Sequence, residues 1–497
     1  MKRDRIMAIF KIKTMFKINK SKLIFLFILL AGLFVINPVF SHKRALYNVV
    51  IDTDCGVDDF RALTYFLASR DFNINAITSV DGVFTPNKSA NYIHQLLNKY
   101  EHQGIMIGEG EEYNASKQYK THAKAQWDNI FPENTKTEFP SAIEVLRSAI
   151  NYSSNSTIII AMGPLSNIAE LLKTYPEVFF KVEVILWYCN YDNAPAGYNY
   201  EQDTDAYNLI REYNIPVKMI SDGGHKYSED FSDNCKQIKN SIYAETLVKF
   251  MQNFDNKYYW DDMLPLYLLY PNVFEEKRVS GYSAVITPKK EAFFDILVTS
   301  ILNYNKPDEG VVFNEVPTSG YMLRSDLHEY LPAILDAHGY HEFKIVALAS
   351  EIHSHLGLYA IMGAKMGLRI MEYLHVGLDE VSIISYAGSN PPVSCFNDGI
   401  QVGTGATIGY GKIDVKPTET PIPAVEVLYN NRKIHFSLKD EILTNIRKEI
   451  GNLVQKYGLE NEMYWLELRK IAIKYWLEVC RFEAFEIKEI IAEIKQE

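Results

Sequence analysis

Residues 50–59 read Val-Ile-Asp-Thr-Asp-Cys-Gly-Val-Asp-Asp. Four carboxylates, Asp52, Asp54, Asp58 and Asp59, fall within eight positions around one glycine. The apolar run before them (Tyr47, Val49, Val50, Ile51) has the character of a buried strand, and Phe60, Leu63, Phe66 and Leu67 behind them repeat at helical spacing. The acids therefore sit on the turn at the C-terminal end of a strand, where open α/β sheets hold ligands. Four like charges this close repel unless a cation neutralises them. Oxygen-only donors favour a hard cation, Ca²⁺ or Mg²⁺. Asp and Gly are also ordinary turn residues. The conjunction of strand, glycine, paired acids and helix is what marks a metal-dependent site.

The surrounding chain extends this pattern. From about 45 to 339, strand-like runs (48–52, 74–80, 157–162, 182–187, 217–220) alternate with helical ones (59–69, 89–100, 142–151, 166–173). That alternation predicts an α/β domain with a mostly parallel open sheet covered by helices. The pattern restarts around Ala337–Tyr340, and residues 340–435 read as a smaller α+β domain. Residues 436–497 read as a tail of amphipathic helices, with Ile442, Ile446, Ile450 and Val454, then Trp465, Leu468, Ile471 and Ile473, on their apolar faces. Docking on the second domain and a homo-oligomer contact are both open for this tail.

A chain of 497 residues with 47% hydrophobic content should hold two or more cored domains. Its net charge of −11 argues against a nucleic-acid phosphate partner. Five cysteines (Cys55, Cys189, Cys235, Cys395, Cys480), odd in number and far apart, are not a disulfide framework. Residues 2–22 carry eight basic side chains against Asp4; an apolar run, Leu23–Ile36, follows, and then Val39-Phe40-Ser41. Basic region, short apolar core and small-residue site predict a signal peptide over 1–41 and an exported, periplasmic protein with no membrane span after cleavage. Left uncleaved, the segment would be an inner-membrane anchor, though it is short for a span.

The Asp-x-Asp-x-Gly-x-Asp-Asp form of Asp52–Asp59 resembles the signature of the inosine-uridine nucleoside hydrolase family. Ile77–Gly82 resembles that family's second strand and glycine turn. Ile158–Ala169, with Gly163-Pro164-Leu165-Ser166-Asn167, resembles its strand, turn and helix, and Trp260-Asp261 its late His-Asp-Pro segment. The resemblance implies calcium-dependent hydrolysis of the N-glycosidic bond of a nucleoside or related N-riboside. Such hydrolysis passes through an oxocarbenium-like transition state and needs an activated water, a gripped sugar and an activated leaving base. By position in the motif, Asp54 is the general base and also a calcium ligand. Asp59, Asp261 and the Met162 carbonyl complete the ligands, Asp58 holds a ribose hydroxyl, and Asp52 orients the loop. Trp260 stands where many members have a His and a purine-preferring branch has a Trp that stacks on the base. The plainer alternative makes it the edge of an aromatic core beside Tyr258 and Tyr259. Departures fall on the sugar side: Val83 replaces an Asn, Gly197 replaces a Glu, and an upstream Asn is replaced near Tyr191, while the substrate-binding Asn199 is kept. Each lost charged hydrogen bond costs about 1.5–3 kcal/mol.

Residues 351–411 hold a second constellation. Glu351-Ile352-His353-Ser354-His355-Leu356 and Cys395-Phe396-Asn397-Asp398-Gly399-Ile400-Gln401, running on to Gly411, resemble the E-type family of formylmethanofuran dehydrogenase, a non-catalytic component of its namesake complex. His353, His355 and Cys395 are donors suited to Zn²⁺ or a similar transition metal. The alternative has His355 capping a helix and Cys395 as a small buried residue. Glycines 399, 403, 405, 409 and 411 predict close backbone approach, with a ligand as one candidate for the neighbour. Three functions follow: an N-glycosidase, a calcium-containing binding protein for a nucleoside-like ligand, or chemistry residing in the second domain.

Overall fold

The computed structural model describes residues 45–490 except 114–130, 132–136, 154, 222–223, 254–256, 281, 290–293 and 304–310. The expected signal segment, 1–41, lies outside the described residues. Among them no helix is long and apolar enough to cross a membrane.

Eight strands form the first sheet: β1 (Tyr47–Thr53), β2 (Phe72–Ser79), β3 (Met106–Glu109), β4 (Thr157–Ala161), β5 (Val182–Tyr188), β6 (Val217–Ile220), β7 (Phe274–Ser280) and β8 (Ser283–Pro288). Their order is β3-β2-β1-β4-β5-β6-β8-β7, parallel except for the closing β8–β7 hairpin. Residues of β1, β2 and β4 are buried almost throughout, as expected of a parallel sheet covered on both faces. Alternation along β1 sends Val49 and Ile51 into one core and Val50 into the other. The chain leaves β1 toward β2 and β3 and returns to place β4 on its other side. This reversal opens a crevice at the C-terminal ends of β1 and β4. Helix α1 (Val57–Ala68) begins there, with Asp58 and Asp59 in its first turn.

The second region is built on a helical hairpin. Helix α2 (Leu331–His353), kinked at Gly339, runs out, and α3 (Leu358–Leu374) runs back. Helix α4 (Phe396–Thr404) lies against α3. A five-stranded sheet covers them: β9 (Ser382–Ser385), β10 (Ile413–Val415), β11 (Ala424–Tyr429), β12 (Arg432–Leu438) and β13 (Phe485–Ile490), ordered β10-β9-β11-β12-β13. The tail helices α5 (Asp440–Tyr457) and α6 (Glu462–Glu478) bury Ile446, Leu468, Ala472 and Trp476 in this region's core. Arg481 forks onto Glu372 at 2.9 Å through Nε and Nη2. The tail thus docks on the second region and adds a strand, β13, that its helical periodicity did not reveal.

The close approach expected of the glycines finds its partner here. A Cβ on Gly399 would lie 2.2 Å from Ala360 O and Ala364 N, and one on Gly403 would lie 2.8 Å from Gly367 Cα. These glycines let α4 and α3 touch backbone to backbone, so their close approach is to a neighbouring helix. Gly405 and Gly411, at φ +72° and +65°, serve turns.

The second region packs on the strand-start end of the first sheet. Tyr429 Oη lies 2.7 Å from Asn73 Oδ1 and 2.5 Å from Asn75 Oδ1. His375 Nε2 donates to Leu67 O at 2.9 Å, and Gly104 N to Tyr373 O at 2.8 Å. Asn75 Oδ1 also accepts from Asn430 Nδ2 at 2.9 Å, so losing the hydroxyl falls on Asn73, which is 4% exposed and is left short of a donor. Tyr429→Phe is expected to cost about 1–3 kcal/mol in denaturant unfolding. Turnover at the Asp54 end should be unchanged, which steady-state kinetics on the same preparation checks.

Candidate active site

Asp54 follows β1 directly and is 2% exposed. The turn after β2 approaches so closely that a Cβ on Gly82 would lie 2.1 Å from Asp54 Oδ2. In the space this saves, Val83 N donates to Asp54 Oδ2 at 3.0 Å. The bond uses main chain, so the Asn-to-Val departure at 83 leaves it intact. Gly163, after β4, would place a Cβ 3.1 Å from Asp54 Cβ. Gly82→Ala is expected to push the Asp54 carboxylate aside and lower kcat by about 100-fold, the usual effect of a shift near 1 Å in a reacting group. Kinetics alongside a melting curve would separate this from unfolding.

Asp58, Asp59 and Asp261 offer carboxylate oxygens within 4.8 Å of one another, the only such set of three His, Cys, Asp or Glu donors among the described residues. Thr53 Oγ1 donates to Asp59 Oδ1 at 2.5 Å. Asp261 is 2% exposed, and its Oδ1 meets no hydrogen-bond donor among the described residues. Burial, then the charge of Asp58, pushes Asp54 up to about 7 against the pull of the Val83 N–H. Asp59 rises well above the carboxylate range through burial, then Asp54 and Asp58. Asp261 rises likewise, through burial, then Asp59, Asp58 and Asp54. Four carboxylates therefore face one another at the helix start with a buried orphan oxygen among them, and the donors are all hard oxygens. This set fits a calcium ion.

The other expected residues take varied places. Asp52 accepts from Thr78 Oγ1 (2.6 Å) and Asn167 Nδ2 (2.8 Å), behind the loop as expected. The Met162 carbonyl accepts from Asn199 Nδ2 at 2.8 Å, and Asn199 donates also to Tyr188 O at 3.1 Å. Both amide protons of Asn199 are spent on the protein, so only its carbonyl oxygen remains for a ligand. Gly197 stands at φ +91°, a conformation a glutamate would strain to adopt. The side chain of Asn190 lies beside it, 3.3 Å from where a Cβ would stand. This asparagine, next to Tyr191, escaped the sequence reading. Trp260 is half-buried and nearly parallel to Tyr258, ring centres 6.1 Å apart.

At the far end of α2, Ser354 adopts φ +63° and reverses the chain. Past the helix end, His355 meets His353 with ring centres 4.2 Å apart. Both Nε2 atoms approach Gly357, 3.1 and 3.2 Å from where its Cβ would stand. His353 Nδ1 bonds Asp398 Oδ2 at 2.8 Å, and burial, then the His353 charge, lowers the pKa of His355. Cys395 does not complete a three-donor set with these histidines within 4.8 Å. It packs against the apolar core, and burial, then Asp398, pushes its thiol up to about 11. The expected ligand trio is thus a histidine pair backed by Asp398.

The sequence profile described as inosine-uridine preferring nucleoside hydrolase matches residues 49–303. A second profile, described as FmdE, molybdenum formylmethanofuran dehydrogenase operon, matches residues 352–479. The pyrimidine-specific ribonucleoside hydrolase RihA of Salmonella schwarzengrund (strain CVM19633) is 28% identical over 229 residues, 43% of this chain and 73% of the relative. Among solved structures, the plant nucleoside hydrolase PpNRh1 aligns at 18% identity and TM-score 0.43, covering 52% of this chain and 98% of that one. The Bacillus anthracis inosine-uridine preferring nucleoside hydrolase aligns at 14% and 0.44, covering 52% and 99%. The chain belongs to the inosine-uridine preferring nucleoside hydrolase family. Its first domain is a nucleoside hydrolase, acting on the N-glycosidic bond of nucleosides.

Proposed function

We propose that the chain is a calcium-dependent nucleoside N-glycosidase with Asp54 as general base. The observation that carries this reading is the set Asp58, Asp59 and Asp261, the last two buried and the first partly so, with the orphan oxygen of Asp261 in it; Asp54, expected as a ligand, is not one of the three that come together. Asp54, Asp59 and Asp261 would hold calcium with the Met162 carbonyl, and bound calcium would neutralise these charges and acidify the attacking water. Asp54, fixed by the Val83 N–H, takes the proton from that water as it attacks C1′. The C1′–N bond breaks with its electron pair going to the base, which takes a proton from solvent water while Asp54 returns its own to solvent, giving free base and sugar. Asp58 accepts from a ribose hydroxyl. Trp260 offers a face on which the departing base stacks.

Base preference is open between two indications. The Salmonella relative is a pyrimidine-specific ribonucleoside hydrolase, whereas Trp260 favours a purine by its larger stacking surface. The reading of a binding protein without turnover draws on Gly197 and on the committed amide of Asn199. Chromatography of free base released from uridine, cytidine, inosine and guanosine tests the proposal. Free base from at least one supports it; nucleoside binding without release favours the binding protein.

The second region would be a separate site. Asp59 and Leu67, where His375 docks, are about 12 Å apart along α1, and α3 carries the chain about 25 Å from His375 back toward the histidine pair. The pair, with Asp398, would take Zn²⁺ or another transition metal as a partly formed ligand set. The basic and apolar N-terminal segment supports export to the periplasm, and the docked tail still turns Val454, Leu459, Trp465 and Leu466 outward, where a second copy would find an apolar face.

A further inference from the structure

Arg61 and Asp262 form an ion pair that the catalytic scheme leaves unused. Their side chains are 1% and 0% exposed. Arg61 Nε donates to Asp262 Oδ1 at 3.0 Å and Nη2 to Oδ2 at 2.8 Å, a two-pronged fork. Nη2 donates also to Tyr258 O at 2.8 Å. Asp262 accepts further from Tyr227 Oη at 2.8 Å and Trp260 N at 3.2 Å. Tyr227 Oη lies 2.7 Å from Tyr65 Oη, and the Arg61 guanidinium stands 5.4 Å from the Tyr227 ring centre. Every one of these contacts joins helix α1 to the 258–262 turn or braces that junction.

The placement is informative. Arg61 lies on α1 three residues beyond Asp58 and two beyond Asp59, and Asp262 is the neighbour of Asp261 and two residues from Trp260. Two elements 200 residues apart in sequence must bring Asp58, Asp59 and Asp261 together although their charges repel. A fork between a guanidinium and a carboxylate fixes both distance and orientation, and a buried pair of this kind is a poor source of net stability. The pair therefore serves geometry better than it serves the fold.

We propose that Arg61 and Asp262 are positioning residues that hold the calcium site assembled, by clamping the turn carrying Asp261 and Trp260 against the helix carrying Asp58 and Asp59. This rests on the calcium reading above. The clamp acts before the cation arrives, so its loss appears first in calcium affinity.

The test is calorimetric titration of calcium into the full chain, its Arg61→Lys variant and the double variant Arg61→Met/Asp262→Leu, each beside its calcium-free melting curve. Removing a partner that orients metal ligands weakens affinity by about 10–100-fold, the loss expected of the double variant, with the lysine variant in between because it keeps the charge and loses the fork. A role in folding alone would lower the calcium-free melting temperature and leave affinity untouched. Wild-type affinity in both folded variants overturns the proposal. If the double variant does not fold, Arg61→Lys decides by the same criterion. A wild-type chain that binds no calcium overturns the metal-site reading and this proposal with it, whereas wild-type binding with unchanged variants overturns this proposal alone.

Discussion

Asp54→Asn is expected to lower kcat for nucleoside hydrolysis by about 10³-fold, within the usual contribution of a general base. The side chains are nearly the same shape, and an asparagine oxygen can still accept from Val83 N, which holds Asp54 Oδ2 at 3.0 Å. What disappears is the basic oxygen facing Asp59 and Asp58. The same change removes one of four mutually repelling carboxylates whose pKa values burial and neighbouring charge have raised. The calcium-free variant should therefore melt no lower than the wild type. Activity loss without stability loss separates chemistry from folding. A kcat within tenfold of wild type would remove Asp54 from the role of base.

Chelating calcium has the second large effect. A ligand that binds only the folded state stabilises it by about 4 kcal/mol at a thousandfold excess over its dissociation constant. Here the gain has a specific source, because the proposed ligands Asp59 and Asp261 lie within one ion's reach of each other, with Asp58 beside them, and Asp261 Oδ1 meets no donor among the described residues. Differential scanning calorimetry with and without calcium should show the melting transition rising by several degrees when calcium is present. Magnesium should do less, since it gives up its water reluctantly and demands a tighter octahedron. An identical melting curve in chelator and in calcium would mean that the carboxylates are neutralised by protons alone.

The sequence made the first sheet legible because a parallel sheet buried on both faces writes itself as uninterrupted apolar runs, such as Val49–Ile51 and Ile158–Ile160. The carboxylate set was legible for the same local reason: Asp54, Asp58 and Asp59 share one turn. Asp261 came from resemblance, since nothing local ties it to residue 59. The clamp could not be read at all. Arg61 follows Asp59 by two residues and Asp262 adjoins Asp261, but either looks like an ordinary surface charge until the fold buries both. Gly399 and Gly403 do make the close backbone approach read from the sequence, but its partner was not legible, because the signal is the same whether the neighbour is a ligand or the helix Leu358–Leu374. The two histidines converge only because Ser354 turns left-handed, which an ordinary serine does not announce. Strand β13 was hidden by the tail's helical period, because Phe485–Ile490 alternates only weakly and completes a sheet begun about a hundred residues earlier.

The measurement that bears most directly on the central claim is reducing-sugar release from purine and pyrimidine nucleosides by the chelated full chain, followed as calcium is added back. The account predicts no release in chelator and a saturating rise with calcium on at least one nucleoside. Release that is indifferent to calcium, or none from any nucleoside while calcium is bound, would contradict it.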